Sequence, residues 1–171
     1  MIRFYNFILR VFKAKWTFRI PHTTDVLIFD KVGCENIIPL IDKKFNYEIL
    51  NSRFETINFF IFCRSLTTFF NYKVQLKNLY KNYLIKFIKV KKPKIIITFI
   101  DNDFFFYSLK KEFPDICFIC IQNGLSANKI DKNSFLKMKK IDFFFCFSEI
   151  FASFYKKFIA SKTYTIGSLK C

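Results

Sequence analysis

The sequence predicts a three-layer α/β domain built on an open parallel β-sheet of about six strands. Short runs rich in β-branched and aromatic residues recur between longer segments with helical spacing, which is the pattern of βα units that wind a parallel sheet. The runs are also continuously apolar rather than alternating, as is typical of strands buried on both faces. We expect strands at residues 25–30, 47–50, 94–100, 116–121, 142–147 and 163–166.

The segments between these runs predict the helices. The apolar residues of 75–90 recur on one helical face, and Pro93 and Pro114 end the helices that precede them. Crossovers of this regularity are right-handed and place helices on both faces of the sheet, which gives a Rossmann-like architecture. We expect helices over 35–43, 54–70, 75–90, 103–113 and 149–159.

The 171 residues, 52% of them hydrophobic, fit one domain over residues 21–171 with a basic amphipathic segment, 1–20, before it. On a helical wheel, Met1–Ile20 gathers Arg3, Arg10 and Lys13 on a narrow face and apolar residues with Trp16 on the remainder. Such a helix fits a lipid headgroup layer, and its apolar face fits equally well against the domain's own sheet. The sequence leaves both interpretations open.

The formal net charge of +16 points to polyanionic partners, either nucleic acid or an anionic membrane surface. Nearly all of this charge is lysine, and the codon bias of an AT-rich genome explains it slightly better than nucleic-acid binding does. Nucleic acid is disfavoured because arginine, the usual reader of base edges, is scarce and no zinc-finger spacing occurs. No apolar run reaches the roughly 20 residues that span a bilayer. We expect a cytoplasmic protein, peripheral at the inner face of the cell membrane.

The cysteines and the one histidine support no metal or redox site. The six cysteines lie in apolar runs without a secretory signal, which predicts reduced and buried thiols. Cys117 and Cys120 have CxxC spacing, but in a strand this separation puts the thiols on opposite faces. His22 is the only histidine, and neither GxGxxG nor a P-loop occurs. We therefore predict no metal and no dinucleotide in this chain.

Polar residues follow each predicted strand, where the carboxyl ends of parallel strands form one edge and ligands bind. Asp30 follows the first run, in the position of a phosphatase-type nucleophile, but Val32 stands where that chemistry needs a second Asp. Asp30 therefore remains a candidate base or hydroxyl ligand. The other residues of this rim are Asn51, Ser52, Arg53, Asp101, Asn102, Asp103, Gln122, Asn123, Gly124, Ser148, Glu149, Gly167 and Ser168.

Two groups on this rim are the strongest candidates. Asp101, Asn102 and Asp103 present short acidic and amide side chains on a strand-to-helix turn, suited to hydroxyls or a metal. Helix capping explains the same residues; it is favoured for Asp103 and left open for Asp101. Gln122 lies directly at a strand end, before Asn123 and Gly124, where a glycine lets backbone amides approach a ligand. We predict Asp30 and Asp101 as catalytic and, as substrate-binding, Arg53, Asn102, Asp103, Gln122, Asn123, Gly124, Ser148 and Glu149.

Several of these runs, in this order, resemble the amino-terminal half of bacterial surface carbohydrate biosynthesis proteins, from about residue 16 to the end of the chain. The resemblance implies a glycosyltransferase B-type architecture of two facing Rossmann-like domains that assembles surface polysaccharide. The runs are PHTTDVLIFD at 21–30, Arg53 with Glu55, Ile57 and Asn58, KPKIIITFIDND at 92–103, IQNG at 121–124 and IGSLK at 166–170.

The resemblance also implies a division of labour. The amino-terminal domain handles the acceptor, here a sugar or a lipid-linked acceptor, and a second domain binds the sugar nucleotide donor. This chain would supply only the first domain, with the second one lost by truncation or carried by another chain, and would be inactive alone in hexosyl or related transfer. Asp101, Asn102, Gln122 and Asn123 would bond sugar hydroxyls, and Asp30 or Asp101 would assist deprotonation of the acceptor. The alternative is a non-catalytic domain that binds a membrane or a partner.

Overall fold

The computed structural model describes residues 11–53, 55–71, 79–124 and 138–169. Its centre is a sheet of six strands, every neighbouring pair of which is parallel. Two further strands, β1 (Lys15–Thr17) and β4 (Thr56–Asn58), form a separate parallel pair. The strands of the central sheet are β2 (Val26–Phe29), β3 (Tyr47–Leu50), β5 (Ile95–Thr98), β6 (Cys117–Ile121), β7 (Ile141–Cys146) and β8 (Ala160–Thr165).

The strand order in the central sheet is β3-β2-β5-β6-β7-β8, so β3 and β8 are its edges. All six predicted strands are present, and the open parallel α/β architecture of Rossmann-like type is confirmed. The last strand begins at Ala160 rather than Thr163, because β8 stays in register with β7 from Ile141 onwards.

The helices pack on both faces of the sheet, although unequally. Four of them share one face with the larger apolar core, and the shortest lies on the other face with the 3-10 turn Ile38–Leu40. The helices are α1 (Cys34–Ile37), α2 (Phe59–Asn71), α3 (Leu79–Lys91), α4 (Phe104–Glu112) and α5 (Glu149–Phe158).

One predicted helix begins later than its apolar pattern suggests. The helix expected over 54–70 is preceded by strand β4 and starts at Phe59. Asn58 explains the boundary, because its side-chain oxygen accepts a hydrogen bond from the Ile61 amide at 3.2 Å and so caps the first turn. The residues before it pair with β1 instead, beginning with the Lys15 amide on the Glu55 carbonyl at 2.9 Å.

The amphipathic helix predicted over Met1–Ile20 is wrong in its second half. Residues 1–10 lie outside the described residues, and 11–13 are helical, but Lys15–Thr17 is strand β1. Pairing with β4 gives these residues backbone partners that the helical pattern did not anticipate. The segment also belongs to the domain's packing, since Ala14 is buried and Trp16 packs on the larger core.

Strand β2 is buried on both faces, as predicted, whereas β5, β6 and β7 combine buried with half-buried residues and the edge strands β3 and β8 include exposed ones. Leu27 and Ile28 are consecutive in β2, point to opposite faces, and are each 0% exposed. Leu27 belongs to the larger core under α2–α5, and Ile28 to the smaller core with α1. Within the described ranges, no helix is long and apolar enough to cross a membrane.

A buried lysine joins α4 to the amino-terminal edge of the sheet. The Lys110 ammonium donates to the carbonyls of Pro114 (3.0 Å) and Ile116 (2.7 Å) and to the Asp142 carboxylate (2.7 Å). The same carboxylate oxygen accepts from the Phe118 amide at 2.7 Å, so three backbone groups converge on the Lys110–Asp142 pair. This pair fastens α4 to both β6 and β7.

We expect Lys110→Met to lower the free energy of unfolding by about 2 to 3 kcal/mol, because it leaves a carboxylate and two carbonyls without their donor. Urea denaturation followed by circular dichroism measures the change. Lys111→Met, on the exposed side of the same helix, is the matched control and should stay within about 0.5 kcal/mol. Equal losses in both variants would contradict the role given to Lys110.

Candidate functional site

The strand order places a topological switch point at the carboxyl ends of β2 and β5. These neighbouring strands are the point at which the chain changes direction, since β2 leads to β3 on one side and β5 leads to β6 on the other. In open α/β sheets, ligands bind at such a switch point. The residues that follow β2, β3 and β5 therefore form the first candidate site.

Asp30 follows β2 with an unusual backbone. Its φ of 78° lies in the left-handed region, which aspartate tolerates when its side chain bonds locally. One carboxylate oxygen accepts from the Val32 amide at 2.9 Å, and the other accepts from the Ser52 hydroxyl and lies 3.3 Å from Nε of Arg53. Asp30 is only 2% exposed, whereas the Arg53 side chain is 55% exposed. The pair thus presents its cation to solvent and keeps its anion inside.

Ser52 links this carboxylate to the helical layer. Its hydroxyl donates to Asp30, and its carbonyl accepts from the Tyr80 hydroxyl of α3. The sequence places Ser52 on the rim but gives no reason to single it out. Ser52 follows β3, and Asp30 follows the neighbouring strand β2. This shared position at the strand ends is the one signal that could have identified Ser52.

The turn after β5 supplies two further carboxylates and an exposed amide. Asp101 is 2% exposed, and its carbonyl accepts from the Tyr107 hydroxyl at 2.8 Å. Asp103 is the N-cap of α4, with its side chain accepting from the Phe105 amide at 2.8 Å, so the capping interpretation of Asp103 is confirmed. Asn102, between them, is exposed.

Electrostatics connect Asp103 to the residues after β2 and β3. Burial raises the pKa of Asp103, and the nearby Asp30 carboxylate raises it further. The amides of the first α4 turn and the Arg53 guanidinium lower that pKa, although not enough to cancel the effect of burial. One guanidinium therefore serves carboxylates on two strand ends, and we name Asp30, Arg53, Asp101, Asn102 and Asp103 the switch-point cluster.

The second predicted group, Gln122–Gly124, has a different character. Gln122 is 0% exposed; its side-chain oxygen accepts from the Phe147 amide and its nitrogen donates to the Gly124 carbonyl, each at 2.9 Å. These bonds join the ends of β6 and β7 and explain Gln122 without a ligand. Asn123 is half-buried, and its side-chain oxygen has no hydrogen-bond partner among the described residues.

Ser148 and Glu149 mark the start of α5. Ser148 is the N-cap residue, but its side chain makes no capping bond, and its carbonyl accepts from Ala152 at 2.9 Å. Glu149 is exposed in the first turn, where a carboxylate interacts favourably with the helix dipole. The parallel register puts these residues, Gln122 and the switch-point cluster on the same edge of the sheet, as the sequence predicts. Among the residues that the structure describes on this edge, only the switch-point cluster combines buried carboxylates with exposed polar groups.

A cavity of about 680 Å³ lies beside the site, between the β1–β4 pair and the edge strand β3. Buried Lys91 pairs there with Glu48, and Tyr83, whose hydroxyl accepts from the Asn58 amide at 3.0 Å, has its pKa raised to about 12 by burial. The sequence does not predict this cavity. Lys91 lies in the last turn of α3, where a lysine side chain is ordinarily in water, so nothing in the sequence marks it as buried.

The described part of the chain offers no cluster of three or more histidine, cysteine or acidic side chains placed to hold a metal ion. Cys120 is fully buried and Cys117 is half-buried, and both are free thiols. Burial raises the pKa of each of them, which disfavours the reactive thiolate.

Asp103 generates a test of the site's electrostatics. Because its pKa is raised in the folded state, the folded protein binds this proton more tightly than the unfolded chain does. The stability from this group is present at acidic pH and is lost as pH rises through the raised pKa. Asp103→Asn, which keeps a capping oxygen, should remove this pH-dependent loss of stability, and Asp103→Ala, which lacks the capping oxygen, should be about 1 kcal/mol less stable than Asp103→Asn at every pH.

Urea unfolding at several pH values between 4 and 7 would measure both effects, with the window set by the ordinary carboxyl pKa of about 4 and the raised one. Exposed Asp115→Asn is the matched control and should leave the pH dependence unchanged. A profile for Asp103→Asn identical to that of the unaltered chain would contradict the raised pKa.

Comparison with known proteins gives this chain no family, since no protein-family model, no curated protein and no solved structure matches it.

Proposed function

We propose that this domain binds the acceptor in a glycosyl transfer that assembles surface polysaccharide, as the acceptor-side half of a glycosyltransferase B-type enzyme. The observation that carries the proposal is the switch-point cluster, in which buried carboxylates, an exposed amide and an exposed guanidinium follow neighbouring strands at one edge of the sheet. Carboxylates and amides are suitable partners for sugar hydroxyls, and the resemblance of the strand-end runs to surface carbohydrate biosynthesis proteins supports the same chemistry.

The side chains of the cluster differ in what they can contact. Arg53 and Asn102 are exposed and would meet the acceptor first, with the arginine suited to a phosphate of a lipid-linked acceptor. Asp30, held by Ser52 and Val32, positions Arg53. In this proposal, Asp30 or Asp101 also accepts the proton of the acceptor hydroxyl.

The remainder of the reaction falls outside this domain. A second Rossmann-like domain would hold the sugar nucleotide donor, and transfer would take place in the cleft between the two. We also propose that the enzyme works at the inner face of the cell membrane, because a lipid-linked acceptor would be presented there. In this arrangement Gln122 keeps its structural role at the ends of β6 and β7.

A second candidate is a binding domain without catalysis. It is favoured by one observation: both oxygens of Asp30 are already engaged, with Val32 on one side and Ser52 and Arg53 on the other. A general base needs an oxygen within reach of the proton that it removes. The two candidates share the ligand site and differ in whether the Asp30 charge is needed for turnover.

The proposal predicts that Arg53→Ala and Asn102→Ala, made in the full-length protein in its own cells, reduce surface polysaccharide about tenfold, because each removes a contact that orients the acceptor. Polysaccharide is measured by quantitative gel staining of surface extracts. Asp115→Asn, an exposed change near the opposite edge of the sheet, should leave the output unchanged. Unchanged output in both cluster variants, with protein levels maintained, would sink the proposal.

Asp30→Asn separates the two candidates. If the domain takes part in catalysis, this variant should lose polysaccharide output by about tenfold or more while purified chain still binds sugars. Saturation-transfer NMR with a panel of methyl hexosides measures binding directly. Full polysaccharide output by Asp30→Asn, together with retained hexoside signals, would favour the binding domain. Loss of the hexoside signals in Arg53→Ala would support the ligand site for both candidates.

A further inference from the structure

An exposed apolar surface lies where the end of β1 meets the start of α2. Phe18 is 65% exposed and its ring centroid lies 5.3 Å from that of Phe59, which in turn lies 5.8 Å from Phe60. Phe59 and Phe60 are also exposed, and Ile20, two residues after Phe18, is 81% exposed. Isolated exposed apolar residues are normal, but a contiguous group of large ones marks an interaction site.

This surface has a fixed base. Trp16 of β1 packs edge-on against two rings of α2, with ring centroids 5.3 Å apart for Phe62 and 6.3 Å apart for Phe59. The side-chain amide of Asn58 donates to the Arg19 carbonyl at 2.9 Å, which holds the segment after β1 against the end of β4. The exposed rings are therefore carried on packed and hydrogen-bonded structure.

The charge around these rings is positive. Lys15 and Arg19 are exposed in the same segment as Phe18 and Ile20, and Arg64 is exposed one helical turn after Phe60. Residues 11–24 contain no aspartate or glutamate, and the acidic residues near this segment are Glu55, whose carbonyl accepts from the Lys15 amide, and Glu48, which is paired with Lys91. We define the aromatic-basic patch as Lys15, Phe18, Arg19, Ile20, Phe59, Phe60 and Arg64.

We propose that the aromatic-basic patch docks the protein on an anionic lipid bilayer. The phenylalanine rings and Ile20 would enter the boundary between headgroups and acyl chains, and the cations would meet lipid phosphates, which are the two contributions that bind proteins to a membrane surface. A bilayer fits better than nucleic acid, because the strongly exposed Ile20 gains from burial in lipid and nothing from a phosphate backbone. The patch deepens the proposed membrane association and is independent of the sugar site.

The test is co-sedimentation of the full chain with vesicles at low salt. We expect pelleting with phosphatidylglycerol–phosphatidylcholine vesicles, little with phosphatidylcholine alone, and release as salt is added. Phe18→Ser combined with Phe60→Ser should lower the partition coefficient roughly tenfold by removing apolar area. Lys15→Glu combined with Arg19→Glu should lower it by at least as much, since two attractions become repulsions.

Matched controls come from α5. Ile150 is 82% exposed, so Ile150→Ser removes a comparable apolar side chain, and Lys156→Glu with Lys157→Glu makes the same charge change on exposed positions. These variants should bind vesicles like the unaltered chain. Equal losses in controls and patch variants, or full binding by the patch variants, would overturn the proposal.

One further outcome and one further control complete the test. Retardation of an oligonucleotide by a chain that does not pellet with anionic vesicles would overturn the bilayer in favour of nucleic acid. Asp30→Asn should bind vesicles normally, so a failure of the sugar site and a failure of the patch give different results. Circular dichroism melts of every variant confirm that the fold is retained.

Discussion

The burial of β2 on both faces, with β5 paired beside it, is the constraint that places the main candidate functional groups of this domain at the strand ends. Consecutive side chains of β2 are fully buried on opposite faces, so this strand has no surface on which a polar side chain could lie in water. Thr98 illustrates the rule, because its buried hydroxyl donates to the Phe29 carbonyl at 3.0 Å. Polar residues that meet solvent are consequently displaced to the strand ends, which parallel pairing collects on one edge.

Charge pairs in this protein fall into two kinds. Lys91 with Glu48 and Lys110 with Asp142 bury their cations almost completely, with lysine side chains 3% and 5% exposed, and tie α3 and α4 to the sheet. Such pairs are costly to break and have no free cation to offer a ligand. The other described pairs expose their cations, but the carboxylates of Asp42 and Asp25 are partly exposed as well, at 54% and 24%, whereas Asp30 beside Arg53 is only 2% exposed. This combination of a buried carboxylate and an exposed guanidinium is what supports the proposed binding site.

Most of the fold was predictable because it rests on burial, which apolar runs record directly. The six strands of the sheet and the position of α5 follow from such runs and from the residues that interrupt them. Strands β1 and β4 were not predictable, because a three-residue pair has no periodicity of its own and Phe59–Asn71 continues as an amphipathic helix. A long-range pairing overrides the local pattern there.

The location of the candidate site was predictable, but its hydrogen bonds were less so. The turn residues Asp30 and Asp101–Asp103 reveal the strand ends, yet nothing in the sequence distinguishes Gln122, whose amide is occupied by backbone groups, from Asn102, whose amide is exposed. Ser52 was underestimated for the same reason: its importance lies in a bond to a residue 22 positions away. Which hydrogen bonds a polar residue makes is decided by tertiary contacts, and spacing does not encode them.

The open edges of the central sheet have a consequence for self-association. An edge strand is a template on which another copy could add a strand and begin a polymer. On β8, exposed Lys162 and a largely polar sequence oppose such growth. The high net charge adds a general repulsion between copies. The lysine content that first suggested a polyanionic partner therefore also opposes strand addition at the edge of the sheet.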